Sequence, residues 1–446
     1  MTFNDLNLNS SLLKALDELG LKEPTAIQQK AFSVIMSGKD VCGIAQTGTG
    51  KTFAYLLPCL RMWKFAKDRF PQILVIVPTR ELVVQVVDAI KQLTPYMNVE
   101  AVAAFGGVNM KTQIAPVENG CDIVVATPGR LLDLVYHGAL KLKNIKKLVI
   151  DEMDEMLNLG FRKQLSNILE LLPERRQNLM FSATITDEVE ALMHDFFNAP
   201  VRIEATPVGT PLANIEQSVY RVPNFNTKIN LLRLLLQNDA MSKVMVFVET
   251  RAMADDVYEQ LLPAFEGQMG IIHSNKDQNF RFNTVKQFLA GGYRFIIATD
   301  IIARGIDVAG VSHVINFDTP DVAEHYVHRI GRTGRADKKG IAITFTADRE
   351  VEYLQAIEQL MSYEVPVVSL PADLEISDVL TDDEKPKVKM KEYLIALPKR
   401  EESGGAFHEK LEKNKKVPLK IRHADKMREK YGKPKKRPPK NGRKKK

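Results

Sequence analysis

Short apolar runs recur along the chain, and each ends in a polar or glycine-bearing turn. Val41–Ile44, Ile73–Val77, Ile123–Ala126, Leu148–Ile150 and Leu179–Phe181 have this form, with stretches of helical periodicity such as Glu81–Leu93 and Phe161–Leu172 between them. The pattern then restarts with Val244–Val248, Gly270–His273, Phe295–Ala298, Val314–Phe317 and Ile341–Phe345. Apolar strands alternating with helices predict an α/β fold of parallel sheets covered on both faces. Two such series predict two similar domains. The prolines and glycine of Ala205-Thr206-Pro207-Val208-Gly209-Thr210-Pro211 break any element and mark the joint. The expected divisions are a first domain over 1–207, a linker over 208–217, a second domain over 218–370 and a C-terminal extension over 371–446. Residues 381–386 read as a surface linker, and 388–397 as one further strand.

Polar clusters follow the carboxyl ends of these strands, the edge at which open parallel sheets bind ligands. Residues 45–52, Ala-Gln-Thr-Gly-Thr-Gly-Lys-Thr, form a glycine-rich loop whose N–H groups can wrap a phosphate chain. Within it Lys51 can neutralise terminal phosphates and the Thr52 hydroxyl can hold Mg²⁺. Asp151-Glu152-Met153-Asp154 closes the run Leu148-Val149-Ile150 and presents a metal ligand beside a water-activating carboxylate. Strand alternation, continued past Ile150, pairs Glu152 with Asp154 on one side and Asp151 with Met153 on the other. Either cluster alone would fit a chain turning into solvent; together they are two halves of one reaction and point to a nucleoside triphosphatase. Pro78-Thr79-Arg80-Glu81, Thr127-Pro128-Gly129-Arg130, Ser182-Ala183-Thr184 and Thr299-Asp300 occupy equivalent strand ends, where a lone Thr or Ser also serves as a helix cap.

Charge adds a partner class. The chain carries +7, but residues 413–446 hold 17 Lys or Arg against Asp425 and Glu429, so that tail is +15 and residues 1–412 sum to −8. A basic arm on a mildly acidic body is expected to be disordered and to meet a polyanion, most commonly nucleic acid. No apolar run approaches the ~18 residues of a membrane span. Met1-Thr2-Phe3-Asn4-Asp5 lacks a secretory pattern, and Cys42, Cys59 and Cys121 form no Cys-x-x-Cys pair, so a reducing cytoplasm is expected.

From Phe3 to about Phe345 the chain resembles the DEAD-box RNA helicases. Gly20-Leu21-Lys22-Glu23-Pro24-Thr25-Ala26-Ile27-Gln28 is similar to the family's adenine-recognising segment, and Tyr326-Val327-His328-Arg329-Ile330-Gly331-Arg332-Thr333-Gly334-Arg335 to its arginine-finger motif. The resemblance implies two RecA-like parallel-sheet domains in tandem, with ATP and Mg²⁺ as cofactors. ATP would be bound by Leu21, Lys22, Gln28, Gln46, Thr47, Gly48, Thr49, Gly50, Lys51 and Thr52, and by Gly305 and Asp307. Lys51, Glu152, Arg332 and Arg335 would be catalytic, while Thr52 and Asp151 would hold the metal. Asp154, Ser182, Thr184, Gln278, Arg281 and His328 would couple the domains.

RNA would be gripped by Pro78, Thr79, Arg80, Gly106, Gly107, Thr127, Pro128, Gly129 and Arg130, and by Arg251, Thr299 and Asp300. Small polar groups, glycines and scattered arginines suit a sugar-phosphate backbone rather than bases, so binding is expected to ignore sequence. Three positions depart from the family pattern: Leu21 stands for an aromatic, Met153 for the alanine of Asp-Glu-Ala-Asp, and Ser274 for a glycine. The implied function is ATP-dependent RNA unwinding. An ATP-gated RNA clamp or annealer, an inactive RNA-binding scaffold and a DNA translocase are the alternatives.

Overall fold

Successive side chains of the inner strands enter two different apolar clusters. Val41, Ile73, Val75, Ile123, Val125, Val149 and Leu179 join one, while Cys42, Ile44, Leu74, Ile76, Val124, Ala126, Leu148, Ile150 and Met180 join the other. This double burial is why these strands read as continuous apolar runs. The computed structural model describes residues 1–45, 48–204, 214–300, 310–334, 339–382 and 384–385. Gln46, Thr47, Gly305, Asp307, Arg335, the expected strand 388–397 and the tail 413–446 lie outside the described residues.

The first sheet contains β1 (Val41–Ile44), β2 (Ile73–Ile76), β3 (Ala101–Ala104), β4 (Ile123–Ala126), β5 (Lys147–Asp151), β6 (Gln177–Ser182) and β7 (Val201–Glu204). The second contains β8 (Ile215–Arg221), β9 (Val244–Val248), β10 (Met269–Ile272), β11 (Phe295–Thr299), β12 (His313–Asn316), β13 (Gly340–Thr346) and β14 (Val367–Val368). The orders are β3-β4-β2-β5-β6-β1-β7 and β10-β11-β9-β12-β13-β8-β14, the same topology used twice, with every pairing parallel. In β1, a Cβ on Gly43 would stand 2.6 Å from the Phe181 ring, so only glycine lets that ring pack across the strand.

Three sequence expectations change. Residues 215–217, placed in the linker, open β8, whose one-sided burial gives alternation instead of an apolar run. Strand alternation stops at Asp151: Glu152 takes a left-handed backbone (φ 53°, ψ 53°) and Met153–Asn158 is helical. The side-by-side pairing of Glu152 with Asp154 therefore follows from a turn into a helix and not from a strand pleat. Residues 371–385 also belong with the second sheet. Leu374 packs on its core, and the Glu384 carboxylate accepts from the Phe225 amide at 2.6 Å. The carbonyls of Glu375, Ser377 and Val379 accept from the side chains of Asn230, Asn224 and Asn226. Residues 1–385 form one unit.

Candidate functional site

The glycine-rich loop turns into the helix Lys51–Met62 through Gly50, at φ 88°. A Cβ there would come 2.5 Å from Nε2 of Gln28, which donates to the Gly50 carbonyl at 3.1 Å. Oε1 of Gln28 accepts from the Thr25 amide at 2.9 Å, so this side chain ties the adenine-type segment to the phosphate loop. Leu21 and Lys22 are exposed, and the Phe3 amide donates to the Lys22 carbonyl at 3.4 Å. Phe3 therefore pins that segment.

Lys51 is buried at the first turn of its helix, and its ammonium has no hydrogen-bond partner among the described residues. Oε2 of Glu152 is likewise buried and unpartnered. Burial raises the Glu152 carboxyl to about 7 against the opposing pull of Lys51, with Asp151 pushing it further up and Arg332 drawing it down. Asp151 is raised mainly by burial, which Lys51 opposes. Asp154 is different. Burial pushes it up, but His328, Lys51 and hydrogen bonds from Ser182 and Thr184 outweigh that and hold it below the usual carboxylate range. Its Oδ2 accepts from the amides of Ala183 (3.2 Å) and Thr184 (2.9 Å) and from the Thr184 hydroxyl (2.9 Å), while its own amide donates to Ser182 Oγ.

One small cavity is lined by Lys51, Glu152, Asp154, Glu155 and Ala183 from the first sheet and by His328 and Arg332 from the second. Arg332 is 3% exposed and donates through Nε to the His328 carbonyl at 3.3 Å. Met153 lies fully buried in the apolar cluster on one face of the first sheet, so it fills space and touches no charge chemistry.

A second constellation spans the two sheets at Arg80. Its Nη1 donates to Gln278 Oε1 (3.0 Å), Gln278 Nε2 donates to Glu81 Oε1 (3.0 Å), and Arg281 pairs with Glu81 at 3.2 Å. Burial lowers the Arg80 pKa, and the charges of Arg281 and Arg130 lower it further. The Arg80 guanidinium lies on Gly107, where a Cβ would collide with it. Thr79 caps its helix by accepting from the Leu82 amide at 3.3 Å, and Pro78 is buried behind it. The Thr127 side chain makes no cap hydrogen bond, and beside Gly129 there is open space.

Two residues expected to touch RNA also make bonds within the protein. Arg130 is 9% exposed and donates to Gln113 (2.7 Å) and the Val108 carbonyl (3.0 Å), which fixes the Gly106-Gly107 loop. Asp300 is gripped by both forks of Arg329 at 2.6 and 2.7 Å. Thr299 is buried at the end of β11. Arg251 is exposed and donates to Asn275 (2.8 Å) and, at 3.5 Å, to the Ser274 hydroxyl that stands where the resemblance has glycine.

Sequence reasoning missed Tyr55, Glu81 and Arg329 as members of the site. Tyr55 is wholly buried beside Asp151 and Thr52, and burial together with the Asp151 charge pushes its hydroxyl well up. A tyrosine in an apolar helix reads as core, so no local signal marks it. Glu81 stands in the strand-end run Pro78-Thr79-Arg80-Glu81, but nothing local marks its partner Arg281, which lies in the second domain.

The DEAD/DEAH box helicase family model matches residues 25–192, and the helicase conserved C-terminal domain model matches 227–337. Over 416 residues the chain is 35% identical to the ATP-dependent RNA helicase DbpA of Bacillus subtilis, covering 92% of this chain and 83% of that one. The chain belongs to the DEAD-box RNA helicase family. It is also 38% identical over 360 residues to the DEAD-box ATP-dependent RNA helicase CshA of Geobacillus kaustophilus, covering 80% of this chain and 76% of that one. Among solved structures, S. cerevisiae Dbp5 bound to RNA and ADP BeF3 matches with a TM-score of 0.76 at 28% identity, over 83% of this chain and 96% of that chain. The two sheets are tandem RecA-like domains, and the family's activity is ATP-dependent RNA helicase activity. No described helix is long and apolar enough to cross a membrane.

Proposed function

We propose that this helicase binds RNA through its backbone, without regard to sequence, and couples ATP hydrolysis to local, non-processive opening of short duplexes or remodelling of RNA–protein contacts. The observation that carries the reading is the shared cavity: Lys51 and Glu152 from one sheet, whose ammonium and Oε2 have no hydrogen-bond partner among the described residues, meet His328 and Arg332 from the other. An ATP site divided in this way is complete only when the two domains are together. ATP and RNA would then each favour the closed form and tighten the other's binding.

Lys51 would neutralise the terminal phosphates, and Gln28 would read the adenine edge at the mouth of the loop. Glu152 would orient and deprotonate the attacking water, a task suited to a carboxyl near pH 7. Arg332 would stabilise charge spreading over the transferred phosphoryl group, with Arg335 as its partner. Asp154, held by Ser182, Ala183 and Thr184 and facing His328, would report closure from one domain to the other.

Thr52 and Asp151, both beside Tyr55, fit Mg²⁺, a metal that keeps most of its waters and needs few protein ligands. When bound, the ion would offset phosphate charge.

Arg80, the Gly106-Gly107 loop, Thr127-Pro128-Gly129, Arg251 and Thr299 would line the RNA path. Arg130 and Asp300 would hold its walls. Three free, buried cysteines fit a cytoplasmic location. The test is steady-state ATPase with RNA or DNA of equal sequence, together with strand displacement from duplexes of increasing length. Stimulation by RNA alone, and displacement that fades with duplex length, is expected. Equal stimulation by DNA would favour a translocase, and RNA-gated ATPase without displacement would favour a clamp.

A further inference from the structure

The amino-terminal edge of the first sheet, opposite the ATP and RNA edge, carries its own concentration of positive charge. Residues 1–385 sum to −9, yet the loops Trp63–Gln72 and His137–Lys146, which feed β2 and β5, hold six Lys or Arg against the single acid Asp68. The two loops are fastened together. Gln72 Nε2 donates to the Lys64 carbonyl at 2.8 Å, and its Oε1 accepts from Lys146 Nζ at 2.9 Å. Lys141 and Lys143 stand over the Phe70 ring, 5.9 and 5.1 Å from its centre. Phe65 is 57% exposed. Among the described residues none of Lys64, Lys67, Lys141 and Lys143 forms an ion pair, so their charge is unspent.

From this we propose that the edge built by Lys64, Phe65, Lys67, Phe70, Lys141 and Lys143 is a second RNA-binding surface, which holds a flanking single strand by its phosphates while the cleft engages another part of the same molecule. The proposal rests on RNA being the substrate of the cleft. Unpaired lysines on an otherwise acidic body fit a polyanion, and the exposed Phe65 ring among them gives a base a stacking face, the combination that single-stranded nucleic acid selects. A solvated charged face would have no use for an exposed phenylalanine between its lysines. The route from the cleft is short. The helix Pro128–Tyr136 starts at the proposed cleft contacts and hands the chain, about 13 Å later, to the loop bearing Lys141 and Lys143.

The experiment compares the full-length protein with its Lys64→Glu/Lys141→Glu/Lys143→Glu variant, both with a non-hydrolysable ATP analogue. Binding of 10- and 40-nucleotide oligouridine is measured at several salt concentrations. All three side chains are exposed, and melting curves verify that the fold is retained. The variant is expected to bind the 40-mer about tenfold more weakly, with a log–log salt slope flatter by about 2, since each single-strand phosphate contact contributes about 0.7. Its affinity for the 10-mer, and the ATPase that the 10-mer stimulates, should be unchanged. Equal 40-mer affinity and slope in the two proteins would overturn the proposal and leave the patch to an acidic protein or to solvent. Equal weakening on both lengths would overturn it too, because it would mark a general charge effect. Failure of the 10-mer to stimulate wild-type ATPase tells against the cleft reading alone, since the patch is read from 40-mer binding.

Discussion

Glu81 and Arg281 form a buried ion pair between the two RecA-like domains, Oε1 to Nη1 at 3.2 Å, with side chains 3% and 6% exposed. Gln278 donates to the same Glu81 oxygen and accepts from Arg80, so one carboxylate gathers an element proposed to touch RNA and an element from the opposite domain. A charge buried in this way is costly when its partner is lost. In the open form each residue regains water. Removing one partner therefore penalises the closed form, where the other charge stays buried, and leaves each domain alone unaffected.

Glu81→Gln or Arg281→Met should each raise the RNA concentration needed for half-maximal ATPase, by roughly tenfold, and leave RNA-free ATPase nearly unchanged. The double variant should lose less than the two single losses combined, giving a coupling energy on the order of 1–3 kcal/mol. RNA titrations of ATPase on the four proteins measure it. Additive effects would mean that the pair is not formed in the working closed state.

Arg332→Ala should lower kcat by roughly 10³-fold with little change in ATP affinity, the scale of a lost arginine finger. Lysine at this position should recover little, since a point charge cannot reproduce the planar fork. Single-turnover hydrolysis alongside nucleotide binding separates the two quantities. A loss confined to ATP affinity would make Arg332 a binding residue and not a catalytic one.

The residues that chemistry demands in contiguous runs were legible from sequence: Lys51 and Thr52 after their glycines, Asp151 to Asp154 after an apolar strand. Strands buried on both faces were legible for the same local reason. β8 and β14 were not, because one is half-exposed and the other has two residues. The Glu81–Arg281 and Asp300–Arg329 pairs were not either, because a partner far along the chain leaves no trace in local pattern. The wrong inference at Glu152 has a single cause: a positive φ at a non-glycine residue turns strand into helix directly after Asp151, whereas the pleat predicts strand as far as Asp154. Strain of this kind is stored at functional sites.

Deleting residues 413–446 removes +15 of charge and none of the residues assigned to the cleft. RNA affinity should fall across sequences without a change in preference, and the salt slope should flatten by about 0.7 for each single-strand phosphate released. ATPase at saturating RNA should hold. Identical slopes with and without the tail would remove it from RNA binding.

Glu152 gives the sharpest test, because two observables move in opposite directions with pH. Its carboxyl is raised from 4.5 to about 7, mainly by burial. As the proposed base it must be ionised, so RNA-stimulated ATPase should rise between pH 6 and 7.5 and level off above. Stability runs the other way. Between about pH 4.5 and 7 the folded protein holds a proton that the unfolded chain has released, so the unfolding free energy falls as pH rises through that window. Glu152→Gln has no such proton to lose. In the nucleotide-free protein the variant should gain melting temperature over wild type at pH 8, by on the order of 5 °C more than at pH 5. The same variant should still bind ATP and RNA, remain closed on them, and hydrolyse almost nothing. A melting difference that is equal at both pH values would show that burial does not hold the proton on Glu152. RNA release in ATP as fast as wild type would show that another residue activates the water.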